Sequence, residues 1–430
     1  MSSSLPPKKP DVNLSLGLPN LHTCSGRLKP EERDVKLIQL LLTCANHASS
    51  GNLHHADACL RQISRLASIN GDSMQRLAAR FASALAVRLV KRWPGLYKSL
   101  NNGTGLALCD IDRAREIFER TFPCMELVYA VTNRTLVQAM SGERVIHAIY
   151  LGSGSPKLWV PFLRGLQEGS KEFDHGPPHL KITCIGKDRE AQERLGAVLA
   201  KEAEILHMPF QFDPVIVDIR DLRIDMLNLQ PGEALALISM LSLHVLLTED
   251  DRVESHFGLR KNDQMKDAKR LNEFLEMVKS MSPKVVLLVE QESNHNSNRL
   301  VDRFVNGLHF YSAIFDSIDV AFGGLSCQDR TMMEEMFGKE IENIVSCEGR
   351  EREERHERFD QWAVRFVNLG FSPIRLWSDI MDDALRVVED YGPCWFKVIN
   401  VKGCLMICWH DRPIYCVSAW NCFRLPTNNN

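Results

Sequence analysis

The sequence carries no strong charge of either sign: 52 Lys and Arg against 55 Asp and Glu leave −3 over 430 residues. A chain that holds nucleic acid by its own field is basic, so contact with DNA is expected only through a partner or a local patch. Long apolar runs are lacking as well. The most apolar stretch, Ala234 to Leu247, is broken by Ser239, Ser242 and His244 and is too short to cross a bilayer. The amino-terminal residues, with Pro6, Pro7, Lys8 and Lys9, hold no apolar secretory core, and two lysines are too few to decide nuclear entry. The 13 cysteines are scattered through apolar segments, not gathered in a compact framework, which reads as reduced thiols. A soluble intracellular protein is expected. His-Glu-x-x-His, Gly-x-Ser-x-Gly and a Walker loop are also missing, and spacing alone nominates no nucleophile and base.

What is present is ordered in blocks. Residues 1–30 carry five prolines and little to bury, and read as a disordered tail. From Glu31 the pattern turns helical: Leu37, Leu40, Leu41, Cys44, Ala45 and Ala48 line one face. Further helices are predicted from His55 to Leu66, Ser73 to Trp93 and Ile111 to Phe122, a mainly helical cap over 31–135. The grammar then changes. Val145–Leu151, Lys181–Ile185, Pro214–Val217, Ala234–Ile238 and Lys284–Glu290 read as strands, each followed by a helical stretch, which implies parallel crossovers. Trp395–Asn400, Cys404–Trp409 and Ile414–Ala419 have no helices between them, and His410 to Pro413 reads as a polar turn. The predicted class is α/β, with a methyltransferase-like Rossmann core over 140–425: a mostly parallel sheet closed by a terminal antiparallel hairpin.

That layout raises the question of an active site. Gly152-Ser153-Gly154-Ser155-Pro156 follows the first predicted strand, where glycines let backbone approach a ligand and a helix terminus favours anions. Asp188, after the second strand, suits a ribose hydroxyl. However, Tyr150 stands where such sites usually carry an acid, and any tight strand-to-helix turn needs glycine, so Gly152 and Gly154 are expected to be structural. Cys404, Cys408 and His410 share strand parity, but cysteine on a strand is more often a small buried hydrophobe than a ligand. His54, His55 and Asp57 read as a solvated helix start. No metal or cofactor is assigned.

Other segments point to protein partners. Leu14, Leu16 and Leu18 alternate beside Asp11, so an extended tail presents all three to one groove. Leu-x-x-Leu-Leu occurs at Leu37, Leu40 and Leu41 and again at 243–247. Such a stripe suits either a partner's groove or the chain's own core; the core is expected for 243–247, and both readings stay open for 37–41. Glu348 to Glu357 mixes signs, with Glu351 and Arg355, then Glu354 and Arg358, four apart, so a solvated helix is expected there.

Taken together, these residues resemble a known family. Leu37 to His47 looks like the first leucine-rich region of GRAS-family plant transcriptional regulators, and Ile146 to Leu151 sits where that family has Val-His-Ile-Ile-Asp. Gly232 to Leu247 resembles the second leucine-rich region. Pro283, Phe310-Tyr311, and Arg352 with Glu354 resemble the region named for Pro-Phe-Tyr-Arg-Glu. Trp409, Arg412-Pro413 and Ser418-Ala419-Trp420 match the terminal motif. The resemblance spans about Leu28 to Arg424, making 31–425 one GRAS domain, and is greatest for the scarecrow-like three subgroup. The chain departs from the family at Tyr150, and it has no Asp-Glu-Leu-Leu-Ala segment. The resemblance implies a non-enzymatic nuclear co-regulator in plant development or gibberellin-linked signalling. Its implied partners are DNA-bound zinc-finger factors of the indeterminate-domain type and other GRAS or DELLA chains in homo- or heterodimers. The tail resembles the motif that recruits TOPLESS-type co-repressors, and DNA is reached indirectly. A small-molecule-binding or S-adenosylmethionine-dependent methyltransferase is the alternative.

Overall fold

Helix α1 (Pro30–Ser50) starts on a proline, whose missing N–H costs nothing in a first turn, and Glu31 and Glu32 complement the dipole there. It ends at Gly51, which takes the left-handed conformation of a C-terminal cap (φ 79°). This is a computed structural model, and it describes residues 29–100, 108–152, 154–171, 176–248, 268–325, 327–376, 378–390 and 395–422. The tail with Leu14, Leu16 and Leu18 lies outside the described residues. Helix α2 (Leu53–Ile63) stops earlier than the sequence predicts. Helix α3 (Ser73–Val90) is capped reciprocally by Asp72 and Gln75. Helices α4 (Pro94–Leu100), α5 (Leu108–Thr121) and α6 (Pro123–Ala139) follow; α4 and α6 were not anticipated.

The sheet is then built by β1 (Val145–Leu151), α7 (Pro156–Ser170), β2 (His179–Gly186), α8 (Arg189–Ile205), β3 (Phe210–Ile216), β4 (Ala234–Met240), α9 (Lys269–Ser280) and β5 (Val285–Gln291). Helices α10 (Leu300–Phe322), α11 (Gln328–Ser346) and α12 (Phe359–Asn368) come next. Short β6 (Ser372–Ile374) and α13 (Ser378–Asp390) precede β7 (Phe396–Val401), β8 (Cys404–Trp409) and β9 (Arg412–Asn421). Strand order is β3-β2-β1-β4-β5-β9-β8-β7, with β6 beside β9. The first five strands are parallel, and β9 enters antiparallel to β5. This is the methyltransferase-like Rossmann arrangement the sequence predicts. Strands β1, β4 and β5 read as near-continuous apolar runs because helices cover both faces. The turn between β8 and β9 is only His410-Asp411; Arg412 and Pro413 already belong to β9.

The helical layer is not purely amino-terminal. Helices α10 and α11 pack against α1 and α3, so residues 300–346, read from sequence as core, complete the cap. Fully buried Arg76 on α3 ties the two halves, meeting Glu334 on α11 and Asp319 on α10 at 2.7 Å each. Sequence periodicity reports that a helix has an apolar face, not which helix that face meets. Among the described residues, no helix is long and apolar enough to cross a membrane.

Candidate functional site

The glycine loop after β1 closes on its own protein. Gly152 (φ 150°) and Gly154 (φ 73°) hold backbone conformations that L side chains rarely adopt. A Cβ on Gly154 would lie 2.5 Å from Leu195 Cδ2, and one on Gly152 would lie 3.0 Å from the Tyr150 hydroxyl. Tyr150 is buried beneath the loop, its ring packed edge-on to Trp159 with centroids 5.5 Å apart. Burial pushes its phenol far above the usual range. Asp188 accepts the Ala191 N–H (2.9 Å) as the amino-terminal cap of α8. That contact lowers its carboxyl, and the oxygen is engaged within the fold instead of facing a ribose.

A second constellation lies at the carboxyl ends of β4 and β5, where open α/β sheets place their sites. β4 runs into a 3-10 turn, Leu243–Leu247, that carries His244. β5 ends with Glu290, Gln291 and a loop holding Ser293, His295 and Asn296. Across them lies the stretch 352–358, and here the structure corrects the sequence reading. It is not a solvated helix: after a short 3-10 turn at Gly349–Glu351 it runs without regular secondary structure as far as Arg358, with Arg352, Arg355, His356 and Glu357 all buried. The stretch is not helical, so Glu351–Arg355 and Glu354–Arg358 do not take the one-turn helix spacing expected of them. Arg352 Nη1 donates to the His295 carbonyl (2.8 Å), and Arg355 donates to the carbonyls of Arg352 and Gly349 (3.0 Å each). Glu357 accepts two bonds from Arg365 on α12 (2.6 and 2.7 Å). Asn343 on α11 accepts the N–H groups of Glu353 (2.9 Å) and Glu354 (3.0 Å), which fixes the path of the chain there. A buried charge is tolerated only when paired and hydrogen-bonded, and these partners come from distant segments.

At the centre, His244 Nδ1 is 2.9 Å from Glu290 Oε2, and its Nε2 is 3.3 Å from Glu354 Oε2. His356 Nε2 lies 3.3 Å from that same Glu354 oxygen. Burial opposes an imidazolium at His244, but Glu290 and Glu354 outweigh it and raise the group to about 10. Burial and the neighbouring positive charges instead push His295 down to about 3 and keep His356 neutral. Sequence reasoning named Arg352 and Glu354 but missed Glu290, His295 and His356, and saw His244 only as a break in an apolar run. The available signals were a glutamate ending the apolar β5 run and a histidine inside the charged run.

The remaining nominated residues fall in packing roles. Leu37 and Leu41 are fully buried in the core and Leu40 is half-buried against it, so the 37–41 stripe packs mainly on the chain's own core. The 243–247 leucines are likewise core. Trp409 packs on one face of the sheet and donates to Asp316 Oδ2 (2.8 Å); Trp420 packs on the other, against Phe359 and Phe366. Cys404 and Cys408 face one core together, but His410 sits exposed in the turn at φ 53°, its ring tilted against Trp395, so the three do not converge.

Residues 37–421 match the GRAS domain family. The chain is 38% identical to Scarecrow-like protein 3 of Arabidopsis thaliana, over 93% of this chain and 91% of that protein. It is 31% identical to DELLA protein RGL1 of the same plant, over 93% of this chain and 72% of the relative. A crystal structure of SCL7 from Oryza sativa superposes with a TM-score of 0.75 at 26% identity, covering 90% of this chain and 99% of the other.

Proposed function

The chain belongs to the GRAS domain family, and on that premise we propose that it works as a non-catalytic platform joining transcription factors in the nucleus. Its scarecrow-like and DELLA relatives make it a plant regulator of the developmental or gibberellin-linked kind. The observation that carries the non-catalytic reading is Tyr150. Its buried ring fills the space under the Gly152–Gly154 loop where an adenosyl ligand would lie, and Asp188 is engaged as a helix cap. A binding site needs a concave, partly apolar cleft with free polar groups; the packing of Tyr150 under the loop and the capping role of Asp188 support the opposite reading of this end of β1.

In this reading DNA is reached through zinc-finger partners of the indeterminate-domain type, in keeping with the near-neutral charge. Other GRAS or DELLA chains pair with it, residues 31–425 act as one GRAS domain, and the Leu14, Leu16, Leu18 tail recruits a TOPLESS-type co-repressor. Calorimetric titration of the full chain with S-adenosylmethionine should give no heat of binding, while affinity purification from plant nuclei should recover DNA-bound zinc-finger factors. Saturable binding with methyl transfer to any recovered partner would make the protein an enzyme and overturn the proposal.

A further inference from the structure

We propose that His244, Glu354 and His356 form a binding site for a divalent transition metal of the zinc type. It ties the turn after β4 to the irregular segment before α12.

The first support is convergence. Glu354 Oε2 lies 3.3 Å from both His244 Nε2 and His356 Nε2. Ligand atoms held about 2.0–2.2 Å from a tetrahedral zinc are separated by roughly 3.3 Å along each edge. Two edges of the polyhedron therefore stand at their required length. One donor atom from each of His244, Glu290 and His356 also falls within 4.8 Å of the others.

The second support is the shell behind the ligands. Metal-binding imidazoles have their far nitrogen engaged by a carboxylate, carbonyl or other partner that orients the ring. Glu290 provides this for His244: Oε2 meets Nδ1 at 2.9 Å, while Oε1 is fixed by the backbone N–H of Leu243 (2.9 Å) and His244 (3.2 Å). His356 Nδ1 meets His295 Nδ1 at 3.0 Å, and His295 Nε2 meets Ser293 Oγ at 2.8 Å. Both rings are thus oriented from behind, each with Nε2 3.3 Å from the same Glu354 oxygen.

The third support is access. His244 and His356 are buried, whereas the Glu354 side chain is 25% exposed, so one side of the site opens to solvent for entry and a fourth ligand. Two imidazoles and a carboxylate suit zinc or a neighbouring transition ion, whereas calcium and magnesium ask for oxygen alone. Admitting the ion requires the two rings, with centroids 4.2 Å apart, to splay, and the ion to replace the proton that His244 holds toward Glu354, which is released on binding.

The test uses untagged full-length protein stripped with a chelator and then titrated with Zn²⁺ or Co²⁺. One ion per chain is expected, with a melting temperature that climbs with free Zn²⁺ and a four-coordinate visible spectrum for Co²⁺. Glu354→Gln, at the exposed edge of the site, should remove stoichiometric binding. Glu290→Gln should keep the site but weaken it by about 10–100-fold. His55→Ala, which removes the exposed ring of the His47–His55 pair that could trap metal near the surface, should change nothing. The proposal is overturned by absent stoichiometric binding, by binding that survives Glu354→Gln, or by binding lost in His55→Ala.

Discussion

Gly154 shows how one residue can hold a whole crossover. Its φ of 73° and the 2.5 Å gap to Leu195 Cδ2 mean that Gly154→Ala meets backbone strain and a side-chain clash together. We expect a loss of about 1 kcal/mol or more by chemical denaturation; unchanged stability would show that the loop relaxes freely. Glu292 makes a pH-dependent case. Burial, with Asp360 nearby, raises its carboxyl to about 7, against about 4.3 in an unfolded chain. Below both values each state is protonated and nothing is lost. Between them the unfolded chain ionises first, so stability falls as pH rises, and above them the penalty is constant. Glu292→Gln keeps an oxygen for the Phe359 N–H. It should stabilise by about 1–3 kcal/mol near pH 8 and be neutral near pH 4; equal effects at both would refute the assignment.

At the scale of elements, β9 is the strand on which the carboxyl-terminal third depends, since it pairs with β5, β6 and β8. Trp420 anchors it from below, 4.8 Å from Phe366 by ring centroids. Trp420→Ala should cost about 3–5 kcal/mol, with the melting temperature and partner binding falling together. Binding lost at an unchanged melt would instead make Trp420 a contact residue. The tail behaves differently, because its leucines have no core to enter. Replacing Leu14, Leu16 and Leu18 with alanine should leave the melt of the folded part unchanged while abolishing repression of a DNA-tethered reporter and capture of a TOPLESS-type co-repressor. Each leucine would contribute roughly 1.5–3 kcal/mol of burial before ordering costs. Repression equal to wild type would reduce the segment to a linker.

At the scale of the molecule, the cap is completed from both ends of the sequence. A fragment spanning only residues 29–140 leaves the apolar faces of α1 and α3 without α10 and α11, and leaves Arg76 without Glu334 and Asp319. Such a fragment should show no cooperative thermal transition by circular dichroism; a sharp one would establish the cap as an autonomous domain. The sequence alone determined the strands β1, β4, β5 and β8 nearly to the residue, the parallel core and the terminal antiparallel pairing. Those follow from local apolar patterning and from whether a helix intervenes, both of which are properties of neighbours in the chain. Only the tertiary structure decided that Leu37 and Leu41 face inward, that α10 and α11 join the cap, and that the run from Arg352 to Glu357 is buried. For the two helical cases, periodicity reports an apolar face but not what that face meets; for the charged run the reason lies in its partners. A charge pattern predicts an exposed helix when each group must find its partner within a turn. Here Asn343, His295, Asn296 and Arg365, from three other elements, supply the hydrogen bonds that let the segment leave water.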